Sequence, residues 1–117
     1  MFKKLVRDKI PKIILEKTGQ LANAYQAEQE EYEARLLDKM IEELEEFREN
    51  PRIEEAADIF EVFTAIINHW NMCLIDVQGT AIRKAHSRGG FKDKWILELP
   101  TNVENDWDCT NSGELKN

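Results

Sequence analysis

Apolar residues recur along this chain at helical spacing, and four segments carry the pattern. Residues 6–18 place Val6, Ile10, Ile13 and Ile14 three to four positions apart. Pro11 fits the first turn of a helix starting near Lys9, and Gly19 is a good stop. Residues 29–49 predict a long helix, with Tyr32, Leu36, Leu37, Met40, Ile41, Leu44 and Phe47 in one stripe. Residues 52–70 predict another, with Ile53, Ala56, Phe60, Phe63, Ile67 and Trp70 on its main face. Ile59, Val62, Ala65 and Ile66 widen that apolar arc well beyond one stripe. A helix so apolar is central to its fold or buried in an oligomer. Residues 73–88 predict a last helix with Leu74, Val77, Ala81 and Ala85 inward, ended by Gly89-Gly90. Between the two long helices Asn50-Pro51 reads as a stop followed by a restart. Residues 20–27 predict a short extended piece, and residues 91–99 a short strand through Trp95-Ile96-Leu97. Residues 100–117 are polar and acidic, a tail after a single domain over residues 1–99.

Composition narrows the class. The 117 residues, 42% of them hydrophobic, suit one globular domain. Asn68, His69 and Asn71 interrupt the longest apolar run, so no membrane span is expected, and Met1-Phe2-Lys3-Lys4 does not open a signal peptide. Cys73 and Cys109 form no metal motif, which points to a reduced, cytoplasmic setting. The net charge of −7 argues against general nucleic-acid binding. That charge is laid out in blocks. Residues 1–19 hold six Lys/Arg against two acids, residues 28–61 fourteen acids against four Lys/Arg, and residues 83–95 five Lys/Arg against one acid. A site for a metal and a polyphosphate needs both signs in this way; interleaving into ordinary salt bridges is the alternative.

The acids carry the candidate chemistry. Glu43 and Glu46 are spaced i, i+3 in one helix, Glu55 and Asp58 likewise in the next, and eight residues separate Glu46 from Glu55. A helical hairpin would aim the two pairs at each other. Converging carboxylates repel unless a cation sits among them, and Mg²⁺ prefers oxygen ligands of this kind. Glu42, Glu45 and Glu49 point away and read as solvated surface. Glu55 falls within the apolar arc of its helix, which has no Lys or Arg after Arg52, and this favours a metal as its partner. His69 reads as a packed residue rather than a ligand.

Glu42-Glu43-Leu44-Glu45-Glu46 followed by Glu55-Ala56-Ala57-Asp58 resembles the EExxE…ExxD signature of the MazG-like all-α nucleoside triphosphate pyrophosphohydrolases. Lys4 to Pro11 is similar to the KLVRDKIP start, and Lys84 through Arg88-Gly89-Gly90-Phe91 to the K…RGGF ending, of a small single-domain branch. Phosphoribosyl-ATP pyrophosphohydrolase belongs to the same superfamily. The resemblance covers about residues 3–99. It departs at Ile82, where many members carry Asn, and nothing in it corresponds to the tail with Trp107 and Cys109.

The resemblance implies an all-α bundle of four to five helices, assembled as a homodimer or homotetramer. It implies Mg²⁺-dependent cleavage of a nucleotide between its α- and β-phosphates, with Mn²⁺ as a substitute. Glu43, Glu46, Glu55 and Asp58 would be the metal ligands and Glu46 the base that takes a proton from water. Lys84 and Arg88, spaced i, i+4, would grip the polyphosphate, with Arg7 and Lys9 as further contacts. The readings that compete are phosphoribosyl-ATP hydrolysis and a non-catalytic helical oligomer that binds nucleotides or a partner protein.

Overall fold

A computed structural model describes residues 2–99. The expected acidic tail over 100–117, with Trp107 and Cys109, lies outside the described residues. The chain divides into two compact units, Met1–Ile82 and Arg83–Asn117. The described residues form four helices and no strand: α1 (Ile10–Thr18), α2 (Gln29–Glu49), α3 (Ile53–His69) and α4 (Leu74–Arg88). None is long and apolar enough to cross a membrane.

The helix ends follow local chemistry. Pro11 sits in the first turn of α1, where its missing N–H costs nothing. Gly19 closes that helix at φ 75°, in the left-handed region that glycine enters without strain, and its N–H donates to the Leu15 carbonyl at 2.8 Å. Asn50 ends α2 with φ −149° and ψ 81°, outside the helical region that a following proline disfavours. α3 closes through Asn71 at φ 61°, a conformation asparagine tolerates. The Met72 N–H then reaches back to the Ile67 carbonyl at 2.7 Å and the Asn71 N–H to that of Asn68 at 3.1 Å, a Schellman pattern.

Within the first unit, α2 and α3 form the extensive helix–helix contact. The three-residue link between them makes the pair an antiparallel hairpin. Its open end is tied by His69, whose Nε2 lies 2.8 Å from Glu33 Oε2 and whose ring meets those of Tyr32 and Trp70 edge-on.

Packing uses only part of each predicted stripe. On α2, Leu36 is 1% exposed and Tyr32 and Met40 are half-buried, whereas Leu37, Ile41 and Leu44 remain open. On α3 the packed face is rotated from the expected one. Ile67 is 4% exposed and Ile59, Val62, Phe63 and Ile66 are half-buried, while Ile53, Ala56 and Phe60 face out. In α4 the inward stripe stops at Val77, and Ala81 and Ala85 are exposed.

The expected strand through Trp95-Ile96-Leu97 does not form. Residues 91–93 turn, the Lys94 N–H donates to the Phe91 carbonyl at 3.3 Å, and Lys94 takes φ 65°, which breaks an extended run. No neighbouring strand is present among the described residues to pair with it, and residues 20–27 are likewise irregular.

Candidate metal centre

The helical repeat sets Lys39, Glu42, Glu43 and Glu46 on one face of α2 at i, i+3, i+4 and i+7. Glu42, Glu43 and Glu46 each offer a carboxylate oxygen, and these oxygens lie within 4.8 Å of one another. Ligands around Mg²⁺ stand about 2.1 Å from the ion, hence roughly 3–4 Å apart, so small side-chain rotations would close the set around a cation.

Glu43 is the distinctive member. It is 5% exposed, the single buried charged residue among those described, and its Oε1 has no hydrogen-bond partner. Its Oε2 lies 3.4 Å from Lys39 Nζ. Burial pushes the Glu43 carboxyl above the ordinary range. Lys39 opposes this, and the negative charges of Glu46 and Asp58 add to the upward shift. The oxygen cluster is thus Glu42, Glu43 and Glu46; of the expected second pair, Asp58 acts on Glu43 through its charge, but neither Asp58 nor Glu55 belongs to that cluster.

Two expectations about this face change. Glu42 does not point away into solvent: it is half-buried, 3.1 Å from Lys4 Nζ and 3.5 Å from Lys39 Nζ. Lys39 one turn back and Lys4 from the N-terminal segment hold this carboxylate, contacts that a wheel drawn through Cα positions cannot register. The Glu55 carboxylate, 14% exposed, has a partner in Arg52 itself. Arg52 Nε donates to Oε1 and Nη2 to Oε2, both at 2.9 Å, and holds that carboxyl below the ordinary range. Glu45 and Glu49 are exposed, as read from the sequence.

Of the expected phosphate contacts, Arg7 comes to the hairpin. Its Nη2 donates to Asp58 Oδ1 at 2.7 Å across 51 positions of sequence. Lys9 is exposed at the N-cap of α1. Lys84 and Arg88 stand one turn apart on the exposed surface of α4, in the second unit. Sequence reasoning passed over Lys4, Lys39 and Arg52. The signal for the latter two was their i, i+3 and i, i+4 spacing to Glu42, Glu43 and Glu55.

The chain matches no family model, no curated protein and no solved structure.

The donor set suits a hard divalent ion: all oxygen, several carboxylates, one of them buried with an unsatisfied oxygen. A buried acceptor left without a donor costs on the order of 1–3 kcal/mol, and a cation at this point would remove that cost.

Proposed function

We propose that the chain is a Mg²⁺-dependent nucleoside triphosphate pyrophosphohydrolase of the MazG-like all-α kind, cleaving between the α- and β-phosphates to release a monophosphate and pyrophosphate. The observation that carries the reading is Glu43, a nearly fully buried acid whose Oε1 is orphaned beside the carboxylates of Glu42 and Glu46. A scaffold helix gains nothing from such a group. The order of the KLVRDKIP, EExxE…ExxD and K…RGGF blocks supports the same reading.

Glu43, Glu46, Glu55 and Asp58 would hold the ion, with Glu42 added to the set; Mn²⁺ fits the same oxygens. When bound, the ion would neutralise phosphate charge and acidify a coordinated water. Glu46 is the candidate base. It is exposed, belongs to the oxygen cluster and lies in no ion pair among the described residues, so its lone pairs are open to a proton. Arg7 and Lys9, in the same unit as the acids, are candidates to bind the polyphosphate; for Lys84 and Arg88 the resemblance alone makes that case.

We also infer that the working form is a homodimer or homotetramer. Leu37, Ile41 and Leu44 form an i, i+4, i+7 row on the outside of α2, and Ile53 and Phe60 lie open on α3. Only Leu36 and Ile67 are buried hydrophobics among the described residues, too few for an independent domain of this length. A second copy presenting the same row would complete the bundle.

A second reading, a non-catalytic oligomer that binds nucleotides or a protein, draws on Lys4, Lys39, Arg7 and Arg52, which already partner four of the five acids. Turnover separates the two. A panel of NTPs and dNTPs, with phosphoribosyl-ATP included, is expected to yield pyrophosphate with Mg²⁺ and none with EDTA. Binding of nucleotide without release from any of them would favour the second reading.

A further inference from the structure

Two of the acids proposed as metal ligands already hold a guanidinium, and the two arginines share an arrangement. Arg52 covers both oxygens of Glu55, with each N···O distance 2.9 Å. Arg7 covers one oxygen of Asp58 at 2.7 Å. In each pair the arginine is the more exposed partner. The Arg52 side chain is 54% exposed against 14% for Glu55, and Arg7 57% against 37% for Asp58. The carboxylates are fixed on a packed helix. The guanidiniums approach from the helix N-cap and from the irregular segment before α1, where they can swing away. Lys39 differs: its side chain is 15% exposed and it lies on the same helix as Glu42 and Glu43.

The charges balance under exchange. Glu42, Glu43, Glu46, Glu55 and Asp58 face Lys4, Lys39, Arg7 and Arg52. Replacing the two arginines by one divalent cation leaves the net charge of the group unchanged. Of the two carboxylates that the arginines hold, Asp58 is near enough for its charge to act on Glu43, whose Oε1 has no hydrogen-bond partner.

We propose that Arg52 and Arg7 are exchangeable counter-ions: each occupies a carboxylate that the metal takes over, and metal loading releases both guanidiniums to bind the oxygens of a polyphosphate. This rests on the metal-dependent reading above and adds a coupling to it. Planar guanidiniums match phosphate oxygens in pairs, so the released arginines favour the anion, and by reciprocity the anion favours the metal. The metal-free protein thus keeps Asp58 and Glu55 neutralised, and the two arginines stay occupied until the cation arrives.

The test is calorimetric titration of the full chain with Mn²⁺ alone, and then of the Mn²⁺-loaded chain with inorganic triphosphate. For Arg52→Gln, exchange predicts Mn²⁺ binding tighter by about two- to fivefold, the range that losing a competing surface ion pair allows, while triphosphate binding weakens. Arg7→Gln should move both constants in the same directions, and it carries the test if Arg52→Gln does not fold. Arg52→Lys should fall between wild type and Arg52→Gln. Mn²⁺ binding that is unchanged or weaker in both glutamine variants overturns the exchange, because the arginines would then only orient the ligands. If the unmodified chain binds no Mn²⁺, the metal-dependent function falls as well. Tight wild-type binding without the opposite shifts removes only the exchange.

Discussion

Replacing Glu43 by Gln is expected to make the metal-free protein more stable to heat and to abolish both its stabilisation by Mg²⁺ and its turnover. The substitution keeps shape and removes a charge that is buried with one oxygen unpartnered. Each kcal/mol of relieved burial cost would raise Tm by about 4–8 °C for a domain of this size. Loss of a direct ligand should lower activity by more than the roughly 10–100-fold that outer-shell changes cost. The effect of pH has a definite sign. The Glu43 carboxyl is raised by burial, so the folded chain holds this proton more tightly than the unfolded chain. Its penalty is full at neutral pH, fades as pH falls through the raised value, and is gone below the unfolded value of about 4.3. Melting curves in EDTA should therefore show the variant's advantage shrinking as the solution is acidified. The lowered carboxyls of Glu31, Glu33 and Glu55 lose stability over acid pH with the opposite sign but are common to both proteins and cancel in the difference, whereas the lowered Glu42 shares Lys39 with Glu43 and stays lowered through Lys4 in the variant. Stabilisation by Mg²⁺ should fall over the same acid range, because proton and cation compete for one carboxylate. A variant less stable than wild type in EDTA, yet still stabilised by Mg²⁺, would contradict this account.

Leu36→Ala is expected to cost about 2–5 kcal/mol, a large share of the roughly 5–15 kcal/mol that holds an ordinary domain together. Leu36 is the one fully buried large side chain among the described residues, and it lies on α2, whose extensive helix contact is with α3. A cavity there loosens the hairpin that brings Glu43 to Asp58, so metal binding should weaken along with the fold. Leu37, one position on, is 49% exposed and supplies the control. In a lone chain Leu37→Ala would cost little. In the proposed homo-oligomer it should approach the cost of Leu36→Ala and make Tm depend on protein concentration. Urea titrations of the two variants at two protein concentrations distinguish these cases.

Helix placement was legible in the sequence because the signals are local. Gly19, Asn50-Pro51 and Gly89-Gly90 end helices through backbone geometry that those residues dictate. Which side of each stripe packs was less legible. An arc as wide as that of α3 has several faces equally able to bury apolar area, and the choice of Ile59, Val62, Phe63 and Ile67 depends on the partner helix. The 91–99 segment read as a strand because Trp95, Ile96 and Leu97 have high strand propensity, but propensity without a pairing edge leaves an irregular segment.

In the acidic group, Glu43 and Glu46 come together as their spacing implies, joined by Glu42 rather than by Glu55 and Asp58, while the counter-ions divide by range. Arg52 on Glu55 and Lys39 on Glu43 are contacts within one turn, readable from i, i+3 and i, i+4 pairs. Arg7 on Asp58 spans 51 positions and Lys4 on Glu42 spans 38; only the blockwise charge pattern hinted at them.

The most direct measurement is phosphorus NMR of the products formed by the full chain with Mg²⁺ from whichever nucleotide of the panel it turns over fastest. The account predicts pyrophosphate and a nucleoside monophosphate in equal amounts, with no product in EDTA and none from Glu43→Gln. Orthophosphate with a diphosphate, or product formation that persists in EDTA, would contradict it.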